Sequence, residues 1–439
     1  MRGVPAFVRC LSWWGRALSC LGPLASAWGQ ADFQGATHLV DLEEGTLRYS
    51  KEAATGPIAR LQARLASGAT VLRHDERFGY LPSLLESLGV ARSSQMLVFS
   101  KTSLQREHIR PANPRSVFYA DDVYVGFIPG APVLEISEVD PKLGGVFYTL
   151  EQARTETPRL VRVDNCLECH ASARSLGVPG HLVRSFETDR TGVIDLLSGA
   201  ESVNHRTPLA DRWGGWYVSG THGAQTHRGN LMGKEAYARQ AKEPNFAANR
   251  PTLEGFFDES RYYGRGSDIV ALMVFEHQAH LHNLITRLHY MARQQLAAYG
   301  HVNYLKAPVE AFLRYALFVE ETPLTAPLKG DPAFGRDFMA RGPRDARGRS
   351  LRDLDLQTRL FRHPCSFLLY SEAFAALPDP LKERIHRRLW EILRGEDTSE
   401  AYARLDAPGR RALYEILRDT LPGLPAYWHA QDGRSGADR

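Results

Sequence analysis

The chain has 439 residues, 24% charged and 43% hydrophobic, with a formal charge of +4. These proportions exclude a disordered or membrane-embedded chain and leave room for two or three domains around a sizeable core. Lys and Arg form no block anywhere, which excludes the electrostatic footprint of a nucleic-acid-binding protein.

Residues 1–27 differ from the rest. Arg2, Arg9 and Arg16 stand without an acid, an apolar run covers Ala17 to Leu24, and Ala25-Ser26-Ala27 supplies small residues at a cleavage site. This order reads as a secretory signal peptide cut after Ala27, which places the mature protein outside the cytoplasm, in the periplasm. Cleavage lowers the charge from +4 to +1 and removes Cys10 and Cys20, leaving Cys166, Cys169 and Cys365. No later segment is apolar for the roughly 18 residues a bilayer span needs, so no transmembrane segment is expected in the mature chain.

Ile58, Leu61 and Leu65 at helical spacing predict a short helix from Pro57 to Gly68, and Ser83 to Leu88 predicts another. Alternation around Pro129-Gly130 then predicts antiparallel strands within Val117–Ile128, Val133–Val139 and Gly145–Leu150. Residues 160–266 are rich in glycine, proline and aromatics and lack a regular period; a large apolar cofactor would supply the core that such loops need. From Ser267, read as an N-cap, Ile269, Leu272, Met273, Leu281, Leu284, Leu288 and Met291 form a helical stripe. Further helices are predicted from Pro308, from Asp379 as cap to Gly395 as stop, and over Arg410–Thr420, with a linker or surface excursion over Glu321–Asp353.

The chemistry centres on Asn165-Cys166-Leu167-Glu168-Cys169-His170. A C-x-x-C-H run is the spacing for covalent haem c: both sulfurs add to porphyrin vinyls, and the adjacent histidine reaches iron from one side as the proximal ligand. Two other readings compete. Zinc needs four N or S ligands, and no second ligand pair follows at finger spacing. A thioredoxin-like pair needs a strand before it and a helix after it, and Ala171–Gly180 is a weak helix. Export favours the haem, whose attachment takes place outside the cytoplasm.

The motif resembles the attachment site of bacterial c-type cytochromes. The run Gly177-Val178-Pro179-Gly180-His181-Leu182-Val183-Arg184-Ser185 is similar to stretches in exported haem-c proteins of environmental bacteria. The resemblance implies a covalent haem c with its iron, electron transfer and a redox partner protein. This chain is far longer than small class I cytochromes, which carry a methionine ligand in a short loop, so the resemblance leaves the fold and the sixth ligand open.

Candidates for that ligand are His181, eleven residues after His170, then His222, His227 and Met232; His181 ranks first. Arg184, Arg206, Arg212 and Arg228 are candidates to pair with haem propionates, with solvated arginines as the alternative. Trp213, Trp216 and Tyr217 either wall the haem or belong to an ordinary core. His277 and His280 share a helix face with His282 and His289 nearby, and a polar face explains them better than a metal site. Cys365 reads as a small buried apolar residue.

The whole predicts an α+β protein: a small antiparallel β part and an irregular haem-binding loop region, followed by a mainly helical C-terminal half. The expected divisions are 1–27 leader, 28–155 mixed α/β, 156–266 haem-binding and 267–439 helical. The expected function is periplasmic monohaem electron transfer, with a haem c oxidoreductase acting on peroxide or a small nitrogen oxide at an open distal site as the alternative.

Overall fold

The computed structural model describes residues 41–430; the predicted leader lies outside the described residues. The architecture is α+β, as the sequence predicts. Strands β1 (Met96–Val98), β2 (Arg115–Tyr119), β3 (Val123–Phe127), β4 (Val133–Asp140), β5 (Gly144–Glu151) and β6 (Leu160–Arg162) lie side by side in chain order, all antiparallel. Strands β7 (Arg184–Phe186) and β8 (Ala200–Ser202) pair separately, and β9 (Trp216–Tyr217) adds to the free edge of β1. The seven-stranded sheet thus takes strands from both sides of residue 155.

Strand alternation decides what each face buries. Phe118, Val125, Phe127, Leu134, Ile136, Val146 and Leu150 share a core with Ile58 and Leu61 of α1 (Pro57–Ala66) and with Leu81, Leu84 and Leu85 of α2 (Leu81–Ser87). The opposite face offers Met96, Val98, Val117, Tyr119, Tyr124 and Val139 to the main core. Short helices α3 (Leu167–His170) and α4 (Lys234–Gln240) follow, and then the 31-residue α5 (Ile269–Tyr299), which crosses that core. The C-terminal half adds α6 (Lys306–Ala316), α7 (Pro332–Met339), α8 (Glu372–Ala375), α9 (Asp379–Arg394) and α10 (Ala407–Thr420). No helix among the described residues is long and apolar enough to cross a membrane.

Several local expectations change in the folded chain. Asp268, not Ser267, caps α5 by accepting from Ala271 N–H at 3.3 Å; the Ser267 hydroxyl instead accepts from Leu97 N–H at 2.9 Å, tying the helix to β1. Asp379 already lies within α9, with Pro378 before it and no side-chain cap. The predicted excursion over Glu321–Asp353 contains α7, whose Phe334 and Phe338 are buried in the main core. Nor does the irregular stretch lack a protein core, because Val183, Val203, Leu209, Trp213, Trp216 and Val218 all join the main one.

The largest difference concerns α5. Glu276, His277, Gln278, His282, Asn283 and His289 are buried and His280 is half-buried, so the polar face expected at His277 and His280 is an enclosed network. Sandwiched between sheet and C-terminal helices, the helix has no solvent side at these positions, and each polar group needs a partner. Glu276 takes Arg212 on one oxygen and the Trp213 indole N–H, at 3.0 Å, on the other. His277 Nδ1 lies 2.9 Å from His205 Nδ1, and its Nε2 lies 2.8 Å from Ser366 Oγ.

Burial of neutral imidazoles gives the fold an acid-sensitive edge. Desolvation pushes His227 down to about 3 and His289 to about 4, below the ordinary histidine value. The unfolded chain therefore binds more protons below pH about 6.5, and stability falls as pH drops. Each of these histidines is expected to remove up to about 1.4 kcal/mol per pH unit between pH about 6 and 4. Urea midpoints measured at pH 7 and pH 4.5 check this; equal midpoints would refute it.

Candidate functional site

The C-x-x-C-H run follows β6 directly and closes into one helical turn. Cys169 N–H and His170 N–H donate to Cys166 C=O at 3.2 and 2.9 Å. Three- and four-residue spacings bring Cys166, Cys169 and His170 to one side of that turn. Cys169 is exposed and Cys166 half-buried, and both are free thiols.

His170 is oriented by the loop that follows. Its Nδ1 lies 2.8 Å from Gly180 C=O, and its own C=O accepts from Gly180 N–H at 2.8 Å and from Ser175 Oγ–H at 3.0 Å. A carbonyl partner makes Nδ1 the protonated nitrogen and leaves the Nε2 lone pair available. The loop is itself fastened from two elements: Pro179 C=O accepts from Gly145 N–H of β5 at 2.8 Å, and Arg287 of α5 donates to Leu176 C=O. Asn283 of α5 clamps the His181 peptide from both sides, accepting from its N–H at 3.0 Å and donating to its C=O at 2.8 Å.

Strand register supplies the floor. Tyr124, Ser137 and Phe147 are paired neighbours across β3, β4 and β5. His181 lies on this row, its Nε2 2.8 Å from Ser137 Oγ and its ring 4.2 Å from Tyr124 and 5.8 Å from Phe147. The next row on the same face is Gly126, Glu135, Thr149 and Val161. Glycine at 126 leaves the gap across which Arg115 Nη1 reaches Glu135 at 2.8 Å. Val161 ends the row as an apolar side chain 54% exposed. Burial, with Glu135 and Asp164 nearby, pushes the Cys166 thiol up to about 11, whereas burial together with the Arg115 charge holds His170 below its ordinary value, partly offset by Gly180 and Glu135.

These observations separate the three chemical readings of the motif. A thioredoxin-type attacking sulfur needs a depressed pKa, and Cys166 is shifted the other way, ahead of a helix of four residues. Among the described residues no three His, Cys, Asp or Glu side chains converge as a metal-ion site, which leaves zinc without a ligand set. A haem iron asks the chain for only one or two axial ligands. Two thiols and an oriented imidazole on one turn, next to an exposed apolar side chain, fit that requirement.

The other candidates fall in different places. His181 comes within 6.4 Å of His170, ring to ring, and Phe147 packs beside both, 4.8 Å from the His170 ring and 5.8 Å from that of His181. His222 and His227 contact each other at 4.7 Å, with Trp213 5.4 Å from His227, and Met232 packs against the Phe99–Tyr217 cluster. Arg212 is committed to Glu276, Arg206 to Glu320 at 3.1 Å, and Arg228 to Asp211 at 3.3 Å. Arg184 differs: it feels the Cys169 sulfur and Arg174, stacks over Phe186 at 4.2 Å, and keeps a buried Nε with no protein partner. Cys365 is fully buried, and burial pushes its thiol up to about 12. Sequence reasoning missed Ser137, Asn283 and Glu135, whose only signal was their position on a strand or helix that the site rests upon.

No family model matches the chain, and no curated protein or solved structure matches it.

Proposed function

We propose that the chain is an exported c-type haem protein that transfers electrons, with haem held by thioethers to Cys166 and Cys169 and iron ligated by Nε2 of His170. When bound, the haem supplies a one-electron couple at its iron. The observation that carries the reading is the state of His170: its Nδ1–H is spent on Gly180 C=O, so the imidazole is fixed in the tautomer and orientation of a proximal ligand. The loop that fixes it is anchored to β5 and α5, which keeps the ligand rigid while the thiols stay accessible. Arg184, whose charge feels the Cys169 sulfur and whose buried Nε has no protein partner, is the cation best placed for a propionate.

The reading assigns His181 to packing behind His170, because its Nε2 is engaged by Ser137. The same observation favours a second reading, in which the sixth iron position exchanges ligands and the protein is an oxidoreductase for peroxide or a small nitrogen oxide.

Expression from the full gene with a cytochrome-maturation system tests both. Covalent haem is expected to survive a denaturing gel and to disappear in the Cys166→Ala, Cys169→Ala double variant. Low-spin ferric iron that refuses cyanide supports the electron carrier, and high-spin iron that binds it supports the oxidoreductase. Absence of covalent haem from the wild-type protein refutes both.

A further inference from the structure

A buried phenol lies two ring contacts from His170. Tyr124 of β3 is 5% exposed, and its ring meets that of His181 at 4.2 Å, which in turn lies 6.4 Å from that of His170. Its hydroxyl is held from two sides, by Gln278 Nε2 at 2.9 Å and His282 Nδ1 at 3.1 Å.

The proton positions follow by elimination. Gln278 Nε2 also reaches Ala120 C=O at 2.7 Å and Asp121 C=O at 3.1 Å, so this end of the amide is the donor, and it donates to the phenol oxygen. The phenol hydrogen then has His282 Nδ1 as its acceptor. That places the imidazole proton on Nε2, which faces Asp122 Oδ1 at 3.5 Å. Neither of these two buried atoms has a hydrogen-bond partner. The phenol thus meets the imidazole at 3.1 Å, and the imidazole meets the Asp122 side chain at 3.5 Å. Three other buried tyrosines lack this: Tyr119, Tyr217 and Tyr290 donate to the carbonyls of Ala271, Pro111 and Leu143, which are not proton acceptors at any working pH.

We propose that Tyr124 is a redox-active tyrosine, which gives one electron to an oxidant at the Cys166–His170 turn while His282 takes its proton. The identity of that oxidant, a haem that peroxide reaches at an exchangeable sixth position, rests on the oxidoreductase reading; the chemistry of Tyr124 and His282 does not. The phenol loses one electron, the oxidant gains it, and the O–H proton crosses the hydrogen bond to Nδ1. A neutral phenoxyl radical and an imidazolium remain, the latter facing the Asp122 carboxylate. Return of one electron and of the same proton restores the phenol. Without the proton shift, oxidation would leave a cationic radical buried away from water, at a desolvation cost. His282 removes that barrier. The His181 ring, tilted against Tyr124 at 4.2 Å and edge-on to His170 at 6.4 Å, supplies the path for the electron.

Two oxidants test the proposal on the full-length protein. Hydrogen peroxide is added to the haem-loaded form. Photogenerated tris(bipyridine)ruthenium(III) is applied to loaded and haem-free forms alike. Freeze-quenched samples are read by electron paramagnetic resonance, with ring-deuterated tyrosine to identify the radical. A tyrosyl signal that falls at least fivefold in Tyr124→Phe, with an unchanged thermal unfolding midpoint, supports the proposal. A His282→Gln variant is expected to lower the yield similarly while keeping Tyr124. Haem-loaded protein whose tyrosyl signal is the same in wild type and Tyr124→Phe overturns it. If no covalent haem forms, the haem reading fails, and the ruthenium experiment alone decides for or against Tyr124.

Discussion

Replacing Arg212 by Met is expected to destabilise the fold by about 3–5 kcal/mol, among the largest single effects in the molecule. Arg212 is 2% exposed and Glu276 0%, so the loss of the guanidinium leaves a carboxylate uncompensated in the core. Arg212 also donates to Thr207 C=O at 2.7 Å and His205 C=O at 3.1 Å, so the variant strips partners from a buried loop as well. The test is a double-mutant cycle followed by chemical denaturation. Glu276→Gln alone leaves Arg212 buried with a weakened partner. Combined with Arg212→Met, it is expected to recover most of the loss, because an amide oxygen still accepts from the Trp213 indole N–H while carrying no charge. Additive losses in the double variant would show that the pair is not coupled.

Gly180→Ala is expected to cost about 2–4 kcal/mol and, on the proposed haem function, to lower the yield of covalent haem at the same time. A Cβ at Gly180 would stand 2.1 Å from Asn283 Oδ1. Asn283 cannot simply swing aside, because both ends of its amide clamp the His181 peptide. Relief must therefore come either from that clamp or from the Gly180 carbonyl that orients His170. A stability loss accompanied by an unchanged haem yield and spectrum would show that the loop does not position His170. The Asn283→Ala variant of the same clamp is expected to shift the ferric spectrum in the same direction as Gly180→Ala.

Much of the secondary structure was legible because local spacing encodes it. Ile58, Leu61 and Leu65 mark α1; alternation marks β4 and β5; Gly395 in the left-handed region ends α9 where a glycine stop was expected. Caps were less legible. Ser267 and Asp268 are adjacent and both suitable, and a contact 170 residues away, with Leu97 of β1, assigns Ser267 to another task. The Glu321–Asp353 stretch looked like a linker because its prolines and charges outweigh Phe334 and Phe338, whose burial depends on partners elsewhere. His277 and His280 looked like a polar face because the same periodicity serves a solvated stripe and an enclosed network. Only the layers packed on both sides of α5 tell them apart.

The candidate site divides along the same line. The spacing of Cys166, Cys169 and His170 is local, so one helical turn brings two sulfurs and an imidazole to one side; the sequence by itself determines that grouping and the α+β class. What lies around the turn depends on strand register and on α5, which meet the loop from segments remote in the sequence. The tertiary structure alone decided that Gly180 orients His170, that Ser137 and Tyr124 take up His181, and that Arg212 is spent on Glu276. Register and burial are properties of the assembled layers, and no local pattern of residues carries them.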